Sequence, residues 1–495
     1  MKVHGFTPVE FYEGGLNMAK YEYDLVVIGG GAAGLVTSKT ANGFGKKVAI
    51  IEKKKLGGEC TWNGCIPSKA LIKSSQIAHQ IKDFKKYGLK VEPNFKIDTG
   101  NVMAHVQTIV QKVYNENMPE SLEKLGINII FGDAQFVDNH SVTIGPRKIT
   151  AKKFIICTGS SALIPPIEGL NTVSYLTNES LFHLKSLPES MIILGGGPIG
   201  IEISQALNRL NVNTTVVEML DRILLREDVE MSDMLADRLK EEGVKILTQT
   251  KAVKFGKNKD KIVVNLKDQK NQDKKIESDT VLVAVGRKPN TDGLKLENAG
   301  IKYNSKGIIT DDYLRTDAPN IYACGDVVGP YQFSHLAEYQ AVIATINIFL
   351  PLKRKVDYSN VIWCTFTHPE LAHLSLTEDE ARKKYGNGIK VYRQQYKNLD
   401  RAKTDNEEIG LAKFICNKKG NLIGAHIIGN NASEALQEAQ LLKSFDIKLS
   451  KIQSVIHSYP IYSEIVRKAG KNAYIENLRN NFFVKLGKRL FSKNK

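Results

Sequence analysis

The sequence predicts an α/β fold in which a parallel strand–helix–strand unit occurs twice and an α+β segment follows. The first unit begins at Tyr23 (YDLVVIGGGAAGLVTSKTANGFGKKVAIIEK) and the second at Ser190 (SMIILGGGPIGIEISQALNRLNVNTTVVEML). Each has an apolar strand, a glycine turn, a stretch of helical period and a second apolar strand that ends in an acid. A helical region of about 68–125 lies between the units. From about residue 356, strands at LAKFICN and NLIGAHIIG precede helices at SEALQEAQLLKSF and from Ser463.

The composition is that of an ordinary globular protein and argues against a membrane-spanning or disulfide-framework protein. The 495 residues predict three or four domains, with 42% hydrophobic and 25% charged residues. No run reaches the ~18 apolar residues of a membrane-spanning helix, and the N-terminus lacks the apolar core of a secretory signal. Only two of the six cysteines are close together, which favours a cytoplasmic protein with one special pair. We predict no metal site, and we attribute the net charge of +16 to a solvated lysine-rich surface without a nucleic-acid partner.

Both glycine turns carry the pattern G-x-G-x-x-G, which allows a tight turn, close approach of a pyrophosphate, and close packing of helix on strand. The turn glycines are Gly29, Gly31 and Gly34 in the first unit, and Gly195, Gly197 and Gly200 in the second. Glu52 and Glu218 each lie 23 positions after the first glycine, where a carboxylate accepts hydrogen bonds from a ribose diol. The two copies therefore predict two Rossmann-like dinucleotide-binding domains. Glu218 would repel a 2′-phosphate, which favours NAD(H) over NADP(H), although Arg222 and Arg226 downstream soften that preference.

The close cysteine pair is Cys60 and Cys65, in GGECTWNGCIPSKAL. A short loop that contains Gly64 can bring their Cα atoms into disulfide range. Pro67 suits the first turn of a helix. A thiolate there gains from the helix dipole, and Lys69 adds positive charge, so a reactive thiol is predicted. Two ordinary buried cysteines are the alternative.

These motifs together resemble a known family. The first unit, GGECTWNGCIPSK, ICTGS, GGGPIGIE, VGRKPN and YACGD occur in this order in the class I pyridine nucleotide–disulfide oxidoreductases. This family includes dihydrolipoamide dehydrogenase, glutathione reductase and mercuric reductase. The resemblance covers about residues 22–470 and implies FAD as a bound cofactor, an inserted NAD domain and a C-terminal dimerisation domain in a homodimer.

The implied organisation divides the chain into six segments. They are an N-terminal extension (1–20), the first part of the FAD-binding domain (21–160), the NAD-binding domain (161–285), the second, central part of the FAD-binding domain (286–355), the dimerisation domain (356–475) and a basic tail (476–495). Met18 is a possible true start, which would leave 1–17 untranslated or an extension.

The resemblance also implies residue roles. Cys60 matches the interchange thiol that attacks the acceptor, and Cys65 the thiol that lies against the flavin. Lys69 matches the lysine near flavin N5, and Glu202 its ion-pair partner beside the nicotinamide. The positions implied for FAD, besides the first glycine turn, Glu52 and Lys69, are Gly58, Thr158, Gly159, Asp326 and Ala337, and the NAD turn gains Gly286. The other cysteines, Cys157, Cys324, Cys364 and Cys416, are interpreted as structural.

The sequence departs from the family at the catalytic base. Dihydrolipoamide dehydrogenase and glutathione reductase carry His-x-His-Pro followed by Ser-Glu, and the matching stretch here is IHSYPIYSEIV. His457 matches the first His, Glu464 the orienting acid, and Tyr459 stands where the base should be. An unperturbed Tyr has a pKa about 3–4 units above that of His, which corresponds to roughly 4–5 kcal/mol. Efficient deprotonation of dihydrolipoamide is therefore not expected, unless His457 substitutes. The alternative role of Tyr459 is only to pack the interface.

Mercuric reductase also has a tyrosine at this point, but this sequence lacks that enzyme's C-terminal cysteine pair and its N-terminal Cys-x-x-Cys domain. Strong mercury detoxification is therefore not predicted. The basic tail, residues 476–495, has six basic residues and one acid, with apolar residues at helical intervals. Such a helix can lie on an anionic membrane or can simply pack as a C-terminal helix.

The prediction is an NADH-dependent oxidoreductase that passes electrons through FAD and the cysteine pair to a small disulfide, metal-ion or quinone-like acceptor. A true dihydrolipoyl dehydrogenase and a mercuric-reductase-like metal reductase are the alternatives within the family. A membrane- or nucleic-acid-binding flavoprotein with vestigial chemistry is the alternative of another class. The expected location is cytoplasmic, with membrane association through the tail left open.

Overall fold

The first strand–helix–strand unit forms the centre of a seven-stranded sheet. The computed structural model describes residues 21–90, 95–481 and 484. The strands of this sheet are, in order, Asn128–Phe131, Val48–Glu52, Tyr23–Ile28, Arg147–Ile156, Ser141–Ile144 and Ala134–Asp138, with Ile321–Ala323 beside Arg147–Ile156. Pairing is parallel around Tyr23–Ile28 and antiparallel in the last three strands of that order. The buried apolar runs of the parallel strands, such as LVVI, suit a sheet covered on both faces.

The second unit forms a five-stranded parallel sheet. Its strands, in order, are Lys245–Leu247, Asn213–Val217, Ser190–Leu194, Thr280–Val283 and Tyr175–Leu176. Helices Pro198–Arg209 and Val229–Glu241 supply the crossovers. An antiparallel sheet of three strands, Thr250–Asn258, Lys261–Asp268 and Asp273–Ser278, leads into the strand Thr280–Val283.

The C-terminal segment forms a five-stranded antiparallel sheet. Its strands, in order, are Ile362–Thr365, Glu370–Ser375, Leu422–Gly429, Leu411–Cys416 and Lys390–Gln395. Helices Ala432–Ser444 and Glu464–Asn480 share one hydrophobic core with it. The remaining strands form two short antiparallel pairs. These are Ser160–Ala162 with Arg287–Pro289, and Tyr303–Asn304 with Gly307–Ile308. The predicted fold class is confirmed.

Within the helical region predicted at about 68–125, the structure has the α-helices Cys65–Lys82, Thr99–Tyr114 and Pro119–Glu123. The short helix Gly58–Trp62 precedes them. The breaks have local causes: Gly88 adopts a left-handed conformation with φ 74°, and the Asp98 side chain caps the next helix at Asn101 N. The remaining helices are Ala32–Gly43, Asn178–Leu181, Ser334–Phe349, Glu378–Tyr385 and Asp400–Thr404.

The two ends of the chain lie mostly outside the described residues. This holds for the whole predicted extension 1–20 and for most of the basic tail. The start of the tail belongs to helix Glu464–Asn480, where Glu476 contacts Lys390 at 2.7 Å and accepts a hydrogen bond from Tyr392 at 2.7 Å. Within the described part of the chain, no helix has the length and apolarity needed to cross a bilayer.

Candidate redox site

The glycines that precede the cysteine pair seat it against the first nucleotide turn. Gly58 has φ +56°, and a Cβ there would lie 2.6 Å from the Gly31 backbone. Only glycine fits that approach. Cys60 lies in the one-turn helix Gly58–Trp62, whose first residue packs against the first glycine turn.

Cys65 is the first residue of helix Cys65–Lys82, and Gly64 precedes it without a side-chain cap. All six cysteines are thiols in this structure, and the Cys60 and Cys65 side chains share a hydrogen bond. That bond from Cys60 lowers the pKa of Cys65 to about 6 against the opposing effect of burial, with help from Ser334 and Lys69. The same contact and burial raise the pKa of Cys60. The pair thus favours a thiolate at Cys65 and a thiol at Cys60.

Lys69 joins the cysteine helix to the second unit. Its Nζ lies 3.1 Å from Glu202 Oε2, and Glu202 Oε1 accepts the backbone N–H of Phe366 at 2.8 Å. The Lys69 ammonium also lies 4.5 Å from the centre of the Phe366 ring. Burial disfavours its charge, but Glu202 and Cys65 outweigh that effect and raise the pKa of Lys69. This places a positive charge beside the Cys65 sulfur, anchored by a buried carboxylate.

The first glycine turn has the geometry of a phosphate cradle. Gly29 has φ +106°, and a Cβ on Gly34 would lie 1.9 Å from the Gly29 carbonyl oxygen. Gly31 caps helix Ala32–Gly43 with no side-chain hydrogen bond, so the N–H groups of its first turn remain for an anion. Glu52 accepts the N–H of Gly30 at 2.7 Å through one carboxylate oxygen and that of Lys54 at 2.7 Å through the other.

The second turn repeats this geometry. Gly195 has φ +105°, a Cβ on Gly200 would lie 2.1 Å from the Gly195 carbonyl oxygen, and a Cβ on Gly197 would meet nothing within 4 Å. Glu218 accepts the N–H of Gly196 at 2.6 Å and that of Leu220 at 2.8 Å.

The basic residues downstream of Glu218 are not arranged around its carboxylate. The Arg222 guanidinium donates to the carbonyls of Leu224 at 3.2 Å, Leu225 at 2.7 Å and Glu227 at 3.2 Å. Arg226 lines a cavity at the edge of the C-terminal sheet. Gly286 has φ +147°, and the nearest atom to a Cβ placed on it would be a Leu163 carbon at 3.8 Å.

The other predicted FAD positions surround an acidic network. Ser160 donates to Asp326 Oδ2 at 2.6 Å, and Arg287 donates to Ser160 Oγ at 2.7 Å and to Glu59 at 3.2 Å. Burial raises the pKa of Asp326. Gly159 has φ +70°, and a Cβ there would enter open space.

Two further predicted FAD positions belong to the same region. Thr158 donates through its hydroxyl to the Asn290 carbonyl at 2.7 Å. Buried Ala337 approaches Gly325, where its Cβ would lie 3.3 Å from a Cβ placed on that glycine. Open space at Gly159, free helix N–H groups and a half-buried acid fit the phosphates, ring and ribityl chain of a flavin dinucleotide.

The predicted base region is not assembled within one chain. Tyr459 is 69% exposed and donates through its hydroxyl to Asp400 at 2.9 Å, which raises the pKa of Tyr459. Glu464 is buried and contacts Arg467 at 2.7 Å, while its Oε2 has no hydrogen-bond partner among the described residues. His457 contacts Glu438 at 3.0 Å and the Val455 carbonyl at 3.1 Å.

Some contacts in the site escaped the sequence analysis. Ser334 lies 3.5 Å from the Cys65 sulfur across 269 positions of sequence, and no motif marks it. Glu59, Arg287 and Phe366 are the others, of which Glu59 and Arg287 stand within the quoted motifs GGECTWNGCIPSK and VGRKPN. The scattered Cys157 and Cys324 also meet, with their sulfurs 3.5 Å apart in the core.

We predict that Cys60→Ala raises the pKa of Cys65. A hydrogen bond to a charged group contributes about 1.5–3 kcal/mol, so loss of the thiol donor corresponds to a rise of about 1–2 pH units. A pH titration of thiolate absorbance in the reduced protein measures it. Cys416→Ala is the matched control, because that buried thiol is not part of the pair and leaves the titration near pH 6. An unchanged titration in Cys60→Ala would contradict the assignment of Cys60 as donor.

Comparison with known proteins agrees with this geometry. The family model described as pyridine nucleotide-disulphide oxidoreductase matches residues 23–341, and that of the family's dimerisation domain matches 361–470. A mercuric reductase of Staphylococcus aureus is 33% identical over 450 residues, which cover 90% of this chain and 82% of that protein. A dihydrolipoyl dehydrogenase of Corynebacterium glutamicum is 34% identical over 464 residues, covering 90% and 97% of the two chains.

Solved structures give the same result. The HOCl-induced flavoprotein disulfide reductase RclA from Escherichia coli superposes with a TM-score of 0.82 at 28% identity, covering 91% of this chain and 99% of that chain. The Cu(II) complex of RclA gives 0.83 at 28% identity, covering 92% and 100%. The predicted enzyme class and the use of FAD and a pyridine nucleotide are therefore confirmed, and the dimerisation domain supports a homodimer. The chain belongs to the class I pyridine nucleotide-disulfide oxidoreductases.

Proposed function

We propose that this protein is an NADH-dependent reductase that delivers electrons from the Cys60–Cys65 dithiol to a thiophilic metal ion. The observation that carries the proposal is the hydrogen-bonded thiol pair at the start of helix Cys65–Lys82, with Lys69 and Glu202 beside it. FAD, when bound, would supply two-electron transfer between the nicotinamide and the disulfide form of the pair.

Each residue of the site has a role in this proposal. Cys65 would face the flavin when FAD is bound, and its low pKa keeps it a thiolate at neutral pH. Cys60 retains its proton as donor to Cys65 and contacts the acceptor once that proton is lost. Lys69, held by Glu202, stabilises negative charge beside Cys65. The glycine turns bind the two pyrophosphates, Glu52 and Glu218 the riboses, and Asp326 the ribityl chain of FAD.

The second site is proposed to prefer NADH to NADPH. Glu218 presents a carboxylate where a 2′-phosphate would sit, and its two oxygens already accept backbone N–H groups that hold it in place. The Arg222 guanidinium is occupied by three carbonyl oxygens. We therefore expect kcat/KM for NADH to exceed that for NADPH by at least about 10-fold, equivalent to about 1.4 kcal/mol. Equal values in a steady-state assay would contradict this preference.

The three acceptor classes, disulfides, quinones and metal ions, differ in the number of protons that their reduction takes up. A disulfide acceptor follows NADH + H⁺ + RSSR → NAD⁺ + 2 RSH, so leaving thiolates must gain protons, and a quinone likewise takes up protons. A cupric acceptor follows NADH + 2 Cu²⁺ → NAD⁺ + H⁺ + 2 Cu⁺, and a mercuric one NADH + Hg²⁺ → NAD⁺ + H⁺ + Hg⁰. Both metal reactions release one proton, from the Cys60 thiol, and the reduced metal takes up none, so no residue has to protonate the acceptor.

Tyr459 supports the metal classes because it is a poor proton acceptor and a weak donor. Its hydroxyl already donates to Asp400, which raises its pKa further above neutrality. Thiolates are also preferred ligands of soft metal ions. Mercuric reductases among the relatives and the Cu(II) complex of RclA point in the same direction. In a homodimer of this family, Tyr459 and Glu464 of one subunit would face Cys60 of the other.

Dihydrolipoyl dehydrogenase is the second candidate, favoured by relatives such as the Corynebacterium glutamicum enzyme. It requires removal of a proton from dihydrolipoamide, for which Tyr459 is poorly suited. His457 is not a convincing substitute, because its two ring nitrogens face Glu438 and the Val455 carbonyl. A flavoprotein with vestigial chemistry is disfavoured by the paired cysteines and the Lys69–Glu202 contact.

The test is an acceptor screen with the purified flavoprotein, using cupric and mercuric ions, lipoamide, glutathione disulfide and quinones. We expect turnover of cupric or mercuric ions with NADH. We expect the rate of dihydrolipoamide oxidation by NAD⁺ to be at least about 100-fold lower than that metal-ion rate, because a general base contributes about that factor and is missing here. Tyr459→His should raise the dihydrolipoamide rate, and Tyr385→His, another exposed tyrosine, should not. Rapid dihydrolipoamide turnover by the unaltered protein would overturn the metal-reductase proposal.

The basic tail is proposed to add peripheral contact with anionic membranes. Arg479 and five further basic residues, most outside the described part of the chain, supply the charge. Co-sedimentation with anionic liposomes, with and without residues 476–495, tests it. We expect the truncated chain to lose binding, and identical behaviour of the two forms would remove the membrane contact.

A further inference from the structure

A row of polar and aromatic side chains crosses the C-terminal sheet, away from the redox cysteines. Register pairs Trp363 with His373, His373 with His426, His426 with Lys413, and Lys413 with Arg393. Directly paired residues of neighbouring strands project from the same face of a sheet. The row is therefore one continuous surface, and the two imidazoles at its centre form an edge-to-face pair with centroids 4.4 Å apart.

The segment that follows the second nucleotide unit covers this row with acids. Asp228 contacts Lys413 at 2.7 Å, and Glu230 contacts Arg393 at 3.2 Å. The carboxylate of Glu227, which is 3% exposed, contacts no lysine or arginine among the described residues. A buried carboxylate needs a compensating positive charge or several donors. The partners that Glu227 has are therefore the groups that decide how its charge is compensated.

Glu227 instead faces the two histidines. Its Oε1 accepts the Trp363 indole N–H at 2.6 Å, and its Oε2 lies 2.9 Å from His373 Nδ1. His426 completes the group: one ligand atom from each of the three residues lies within 4.8 Å of the others. All three side chains are buried.

Both imidazoles are oriented by backbone carbonyls through the opposite nitrogen. His373 Nε2 lies 2.6 Å from the Ser375 carbonyl oxygen, and His426 Nε2 lies 2.9 Å from that of Leu376. In His426, donation of Nε2–H to a carbonyl leaves a lone pair on Nδ1, which is the usual outer-shell arrangement of a metal-binding histidine. The Nδ1 of His373 faces Glu227 Oε2 and would give up its proton when an ion binds. The Nδ1 of His426 has no hydrogen-bond partner in the described structure, although it is fully buried.

We propose that Glu227, His373 and His426 form a binding site for a divalent metal ion of the zinc type. Two imidazole nitrogens and one carboxylate oxygen are a donor set that suits Zn²⁺. Ligand atoms of a tetrahedral site at Zn–N distances of 2.0–2.1 Å lie about 3.4 Å apart, so closure requires shifts of about 1 Å. The ion would replace the proton between Glu227 and His373 as the positive partner of that carboxylate, and it would use the lone pair of His426.

The site would join two parts of the molecule. Glu227 follows the second nucleotide unit, whereas His373 and His426 belong to neighbouring strands of the C-terminal sheet. A cavity of about 470 Å³, lined in part by His373, Trp363 and Ser375, lies beside the group and offers space for a water as fourth ligand. The inferred role is structural, and it is independent of the acceptor chemistry at Cys60 and Cys65.

The test uses the full chain with Cys60→Ser and Cys65→Ser, which removes the redox cysteine pair as a competing zinc site. After incubation with ZnSO₄ and dialysis, elemental analysis is expected to find about one zinc per chain. His426→Gln keeps an N–H for the Leu376 carbonyl but lacks the Nδ1 lone pair, and it should retain at least about 10-fold less zinc. Glu227→Gln should behave likewise, and His105→Gln, an exposed histidine, should bind like the parent.

A second measurement separates metal binding from misfolding. Flavin content and the melting temperature without zinc report folding of each variant, and zinc should raise the melting temperature of the parent but not of His426→Gln. Zinc retention below about 0.1 per chain in a folded parent would overturn the proposal. The contact between Glu227 and His373 would then be a hydrogen bond and not a shared metal ion. Equal retention by the parent and a folded His426→Gln would overturn it as well.

Discussion

The hydrogen bond between the Cys60 thiol and the Cys65 sulfur is the interaction on which the chemistry of this protein depends. It exists because two backbone constraints coincide. Gly58 packs against Gly31, which positions the short helix that carries Cys60, and Gly64 allows a new helix to begin at Cys65. One thiol then stabilises the other as a thiolate, with a pKa of about 6. A pair without this asymmetry would have neither a thiolate beside the flavin nor a protonated partner.

The environment of the pair adds charge and connects it to both nucleotide units. Lys69, one turn into the helix, is kept charged by Glu202 from the second unit, although it is half-buried. Glu202 is fixed in turn by the N–H of Phe366, which leads into the C-terminal sheet. Lys69 and Glu202 therefore connect the thiols with the two nucleotide units and with the C-terminal sheet. Loss of either charge would leave the other buried without its partner, which is costly.

Local pattern allowed most of this architecture to be predicted from the sequence. The glycine turns, their acids and the cysteine spacing are set within about 25 residues, where chain geometry leaves few alternatives. The helix breaks between 68 and 125 were missed because they depend on single residues such as Gly88 and Asp98. Ser334 and the Cys157–Cys324 contact were missed because strand pairing brings together residues far apart in sequence. The same holds for His373 and His426, which no spacing rule connects.

The central claim is that the two thiols exchange electrons with a flavin that accepts them from a nicotinamide. Anaerobic titration of the FAD-loaded protein with NADH, followed by absorbance, tests it most directly. We expect the first equivalent of NADH to produce a long-wavelength thiolate–flavin band that is absent in Cys65→Ser. Bleaching of the flavin by NADH without that band would contradict the account.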